Sequence, residues 1–269
     1  MCRLLAYGGT PIFLDTLLER PEGSLISQSR AAREAKTVVN GDGCGLGWYG
    51  EREEPGLYRA VQPAWSDANL VSLCRQIRSG LFLAHVRAAT SGGVSTNNCH
   101  PFANGRHLFV HNGQIGNYAR HRRAVEAMIP DALYGARGGT TDSEAIFLAA
   151  FAHGLEKDPV SALEATLARI LALPGVTEAG AEPLRFSAVI SNGKTLHAFR
   201  WASDGRPPSL YCREEGQGLL VASEPCEGPS GEWTALPPGC VLEVGRDGAA
   251  HMRAFDPARV TAPARSRAA

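Results

Sequence analysis

The sequence predicts an α+β fold in which two mainly antiparallel sheets are covered by two helical layers, and three observations carry that prediction. Strand-like segments open the chain, amphipathic helical segments fill its middle, and strand-like segments return from residue 184 onward. Asn192-Gly193 between two apolar runs is the strongest short hairpin signal present. No long linker or internal repeat interrupts the 269 residues, so residues 1–260 are expected to form one domain, followed by a disordered tail at 261–269.

Taken in order, residues 2–7 read as a first strand, and residues 12–20 as a short helical turn stopped by Pro21. Residues 24–36 are helix-permissive but lack periodicity. Between 41 and 49 a glycine stands at every second position ahead of Trp48-Tyr49, so a backbone can come close on one face. The spacing is not that of a dinucleotide loop. A strand at 57–61 follows a turn, and Asp67 caps a helix whose stripe is Leu70, Leu73, Cys74 and Ile77. Residues 81–86 and 108–110 are too continuously apolar to be half exposed and read as central strands.

Each of these two strands ends in a polar cluster, Arg87 to Gly93 and His111 to Gln114, where functional groups are commonly held. Residues 118–129 read as a helix with a solvated basic face at Arg120, His121, Arg122 and Arg123. A helix over 145–152 follows Thr141-Asp142-Ser143-Glu144, whose Asp142 has the ordinary reading of an N-cap. Asp158 and Pro159 start another helix, with Leu163, Leu167, Ile170 and Leu171 inward. The hairpin strands at 186–190 and 195–201, and strands at 210–212, 218–222, 241–244 and 251–255, complete the set.

Composition excludes several function classes. Lys+Arg and Asp+Glu stand at 27 each, so no net field draws nucleic acid or an anionic membrane, and neither partner is expected. No apolar stretch reaches bilayer length and no signal peptide is recognisable, which predicts a soluble, cytoplasmic protein. The seven cysteines are scattered, without a C-x-x-C pair, and the eight histidines form no metal motif. No disulfide framework, metal or cofactor is expected.

What remains is thiol chemistry. Cys2 directly follows Met1, and methionine is trimmed when the next side chain is small. A freed Cys2 would carry both a nucleophile and an α-amine whose reference pKa of roughly 7.7–8.0 suits a base. The alternative reading is a small buried residue opening a strand. Around it, Asn112 and the Gly113 backbone N–H can face one oxyanion. Arg87 can hold a carboxylate with a forked pair, and Asp142 can pair with an ammonium. A nucleophile–base couple at Cys99-His100 is excluded, because adjacent side chains of an extended segment point opposite ways.

Seven segments resemble the class II glutamine amidotransferases of the N-terminal-nucleophile hydrolase fold. They are Met1-Cys2, Asp42-Gly43, His85-Val86-Arg87-Ala88-Ala89-Thr90, Asn98-Cys99-His100-Pro101-Phe102, His111-Asn112-Gly113-Gln114-Ile115, Thr141-Asp142-Ser143-Glu144 and Val221-Ala222-Ser223-Glu224-Pro225. The resemblance implies an αββα four-layer sandwich and attack by Cys2 on glutamine or another γ-glutamyl amide. By position it implies that Arg87, with Thr90 nearby, binds the α-carboxylate, that Asn112 and Gly113 form the oxyanion hole, and that Asp142 binds the α-amino group. The stand-alone members come nearest, including the ergothioneine-pathway hydrolase that removes glutamate from a γ-glutamyl thiohistidine conjugate. Cys44 and Cys99 depart from that pattern, replacing an aromatic residue and a threonine. A small-molecule γ-glutamyl substrate is therefore expected, with any ammonia acceptor on a separate chain. A non-catalytic γ-glutamyl-binding subunit is the competing class.

Overall fold

A computed structural model describes residues 2–34, 37–89, 93–227, 232–245 and 248–260; the expected tail at 261–269, Met1 and Thr90 lie outside them. In chain order come β1 (Arg3–Phe13), α1 (Asp15–Leu18), α2 (Leu25–Arg30), β2 (Cys44–Trp48), β3 (Gly56–Ala60), α3 (Ala68–Gln76) and β4 (Arg78–Val86). Then follow β5 (Phe102–Asn104), β6 (His107–Gln114), α4 (Tyr118–Glu126), α5 (Asp131–Tyr134), α6 (Asp142–Ala150) and α7 (Pro159–Leu171). The last strands are β7 (Arg185–Ser191), β8 (Thr195–Ala202), β9 (Tyr211–Glu214), β10 (Gly218–Ala222), β11 (Thr234–Ala235), β12 (Cys240–Gly245) and β13 (Ala250–Ala254).

Alternation along the strands sets the layers. Leu4 and Ala6 of β1 enter one core while Leu5 and Tyr7 enter another, and Leu81 and Leu83 of β4 are likewise separated from Phe82, Ala84 and Val86. One sheet runs β11-β9-β10-β1-β4-β2-β3 and the other β13-β12-β8-β7-β6-β5, with antiparallel neighbours throughout. Their inner faces meet through Leu4, Leu83, Val110, Val189, Ala198 and Leu242. Helices α1 to α3 cover the outer face of the first sheet, and α4, α6 and α7 that of the second. The result is the expected αββα sandwich, and it explains the unbroken apolar run in β4, which is buried on both faces.

The capping signals hold. Asp67 accepts from the N–H groups of Asn69 and Leu70 at 3.1 Å, and Asp158 from those of Val160 and Ser161 at 3.1 Å. Four local readings change. Ile12 and Phe13 extend β1 by pairing with Ser79 and Arg78, which leaves only Asp15–Leu18 helical. The cap of α6 is Thr141, whose Oγ1 accepts from Glu144 N–H at 3.2 Å; Asp142 sits inside the first turn. His121 is buried beside the turn at Gly175, while Arg120, Arg122 and Arg123 stay exposed. Asn112 and Gly113 lie within β6, opposite Ser187 and Phe186, because β7 continues the ladder past the apolar run.

Candidate active site

The ends of β1, β4 and β6 bring the predicted residues to one place. Beyond β4, Arg87 N–H donates to Gly43 O at 2.8 Å, Asp42 N–H to Arg87 O at 3.0 Å, and Ala89 N–H to the Asp42 carboxylate at 2.8 Å. These bonds hold residues 87–89 rigidly beside the start of β1. The Cys2 Sγ lies there against Ala88, accepting its N–H at 3.3 Å and donating to its carbonyl at 3.4 Å. Burial pushes the Cys2 thiol above its ordinary pKa, and the Ala88 N–H opposes this only in part. Activating the thiol therefore requires a base.

Cys2, Arg87, Gly113 and Asp142 all line one cavity of about 300 Å³. The Asp142 carboxylate is fixed by backbone: Ile115 N–H donates to Oδ2 and Ser143 N–H to Oδ1, each at 2.8 Å. Oδ1 also accepts the Ser143 hydroxyl at 3.4 Å, and Oδ2 keeps a further lone pair for a ligand. At Gly113 an added Cβ would lie 1.9 Å from Arg185 O and 2.4 Å from His111 Nε2, so no side chain fits where β6 faces the cavity. Asn112 is not part of the lining. It is buried beside His85, whose protonation its side chain favours.

Three buried imidazoles border this floor, and two of them, His100 and His111, line the cavity. The rings of His85 and His100 have centroids 4.2 Å apart, and the Asn112 side chain meets His85. His111 is also buried, with Nδ1 2.9 Å from the Ser143 hydroxyl and Nε2 3.2 Å from Arg185 O. Burial drives all three pKa values down, that of His85 to about 3 and that of His100 well below the usual range. They are neutral near pH 7 and add no charge beneath the thiol.

Several residues to which the sequence reading gave no role share the site. Thr37, His100, Gln114 and Arg185 line the cavity, and Arg185 arrives there through its register with Gln114 on β6. The motif positions Asn98 and Glu144 do not line the cavity. Asn98 Oδ1 accepts from Thr140 N–H at 2.8 Å, and Glu144 accepts from Gly138 and Gly139 N–H at 2.9 and 2.8 Å, so together they shape the turn before α6. Cys99 is buried against Ala60 O and Ser95 O at 3.4 and 3.5 Å, away from the cavity lining. Among the described residues no group of three or more His, Cys, Asp or Glu is placed to share a metal ion, and no helix is long and apolar enough to cross a membrane.

A sandwich with a thiol, a forked cation and a fixed carboxylate at the ends of its central strands has a counterpart among known proteins. The family described as class II glutamine amidotransferases matches residues 20–205. The chain belongs to this family of enzymes. It is 32% identical to the probable glutamine amidotransferase DUG3 of Saccharomyces cerevisiae, over 91% of this chain and 82% of that one. It is 30% identical to the γ-glutamyl-hercynylcysteine sulfoxide hydrolase of Mycolicibacterium smegmatis, over 91% of this chain and 96% of that one. The solved glutamine aminotransferase class-II domain protein from Silicibacter pomeroyi superimposes with a TM-score of 0.74 at 42% identity, covering 95% of this chain and 99% of that one. More distant solved amidotransferases, below 20% identity, share the fold alone.

Proposed function

We propose that the protein is an N-terminal cysteine amidohydrolase acting on glutamine or a larger γ-glutamyl amide. The observation that carries this reading is the placement of the Cys2 thiol, the Arg87 guanidinium and one backbone-fixed carboxylate around a single cavity, which Arg185 also lines. That charge pattern complements the α-carboxylate and α-ammonium of a γ-glutamyl group. With Met1 removed, the Cys2 α-amine takes the thiol proton as Sγ bonds to the γ-carbonyl carbon. The oxyanion is met by the Asn112 amide and Gly113 N–H, and the C–N bond breaks as the amine leaves with the proton. Water then cleaves the thioester and releases glutamate. Arg87 holds the α-carboxylate, with Thr90 as its neighbour in the chain, and Asp142 holds the α-ammonium.

A volume of about 300 Å³ is at the small end of ligand pockets, which suits a compact γ-glutamyl end with the leaving group directed outward. The name of the M. smegmatis relative favours hydrolysis of a γ-glutamyl sulfur conjugate as a second reading. Glutamine as substrate would instead call for an ammonia acceptor on a separate chain.

The deciding experiment measures glutamate release from L-glutamine and a set of γ-glutamyl amides and conjugates, using mass-verified Cys2-first protein. Turnover is expected from that protein and none from its Cys2→Ala variant. Equal rates in the two would overturn the reading. Arg87→Lys is expected to raise KM by about tenfold with kcat nearly held, because an ammonium loses the forked contact with the α-carboxylate. A fall in kcat at unchanged KM would place Arg87 elsewhere in the mechanism.

A further inference from the structure

Glu224 carries out a task that neither the oxyanion site nor the amino-acid clamp explains. Arg3, the residue after Cys2, is fully buried, and its guanidinium turns back on the nucleophile's own backbone. Its Nε donates to Cys2 O at 2.8 Å, and Nη1 donates to Ser223 O at 3.3 Å and Glu224 Oε2 at 3.4 Å. From the opposite side Arg33 N–H reaches both Glu224 oxygens, at 2.9 and 3.0 Å, and Glu34 N–H reaches Oε2 at 2.9 Å. The carboxylate is only 3% exposed, so its charge is balanced by these donors rather than by water.

The chain next described beyond Glu34 borders the cavity. Thr37, three residues beyond Glu34, lines it alongside Cys2. Around that point the chain is closed by Ala32 N–H donating to Val38 O at 2.9 Å and Asn40 N–H to Ser29 O at 2.7 Å. On its outer side the Glu34 carboxylate accepts the Tyr211 hydroxyl at 2.9 Å. One buried carboxylate therefore joins the nucleophile strand to the segment that forms the cavity wall opposite it.

We propose that Glu224 is a positioning residue: through Arg3 and the amides of Arg33 and Glu34 it fixes the wall at Thr37 against the nucleophile strand and so sets how tightly substrate is held. Its substrate rests on the γ-glutamyl reading; its geometry does not. In Glu224→Gln the uncharged amide can no longer serve both the guanidinium and two N–H groups. Hydrogen exchange at Arg33 and Glu34 is expected to speed up at least about tenfold. Alkylation of Cys2 by iodoacetamide, followed residue by residue, is expected to accelerate, and KM for the γ-glutamyl substrate to rise about tenfold with kcat within about twofold.

Unchanged exchange at both amides overturns the proposal, and so does a loss confined to kcat. If the wild-type protein turns over no γ-glutamyl compound, it is the functional reading that fails, and the exchange and alkylation rates still decide the role of Glu224. Should Glu224→Gln fail to fold, Tyr211→Phe loosens the same segment from its exposed side. It is expected to give faster exchange at Glu34 and a smaller KM rise, and no change there overturns the proposal equally.

Discussion

Asn112→Ala is expected to lower turnover by about 10²–10³ while KM moves by no more than a few-fold, the usual cost of losing one oxyanion donor. The structure makes this a clean substitution. Asn112 lies within the β6–β7 pairing, and its side-chain amide meets His85, whose protonation it favours. Removing it leaves the strand pairing intact, so the variant is expected to fold. Gly113 behaves in the opposite way: a methyl group there meets Arg185 O at 1.9 Å, and substitution would disturb the strand pairing itself. Pre-steady-state trapping of the γ-glutamyl thioester by mass spectrometry reports the affected step. Slow thioester formation in a normally folded variant is the expected result. Turnover equal to wild type would remove Asn112 from the oxyanion site.

How much of this was legible in the sequence depended on whether the determining contacts were local. Asp67 and Asp158 announced their helices because capping is settled within three residues, and Asn192-Gly193 announced its hairpin for the same reason: Asn192 Oδ1 accepts from Lys194 and Thr195 N–H and Gly193 takes φ +81°. That Cys2, Arg87, Gly113 and Asp142 share one cavity was anticipated through their chemistry. The length of β1 was not. Residues 2–7 read as the first strand and 12–20 as a helical turn, yet pairing with residues 78–86 carries the strand to Phe13. Arg185 escaped notice, and Glu224 stood only as one member of a family-like segment, because their contacts run across the fold. One enters by a register shared with β6 and the other by a bridge to Arg3 from 221 residues away. Neither has a local signal, since the same residue types on an exposed strand end would look identical.

Acid should unfold this protein early, and the three imidazoles beneath the site are the reason. In the unfolded chain His85, His100 and His111 return to a pKa of about 6.5. In the folded chain burial holds them lower, His85 at about 3. Between those limits the unfolded state binds protons that the folded state refuses, so stability present above pH 6.5 is lost as pH falls. Each ring that stays neutral in the folded state while protonated in the unfolded one adds about 1.4 kcal/mol per pH unit to the slope. Against a typical stability of roughly 5–15 kcal/mol, that loss moves unfolding toward mildly acidic pH. Carboxylates held low by their partners, such as Asp158, add to the loss only below about pH 4. Urea midpoints measured from pH 8 to pH 4 are expected to be nearly level above 7 and to fall steeply below 6.5. His85→Gln, which cannot take up the proton, should make that fall shallower. A midpoint that stays level down to pH 5 would mean that the three rings accept protons in place and that the floor of the site is open to water.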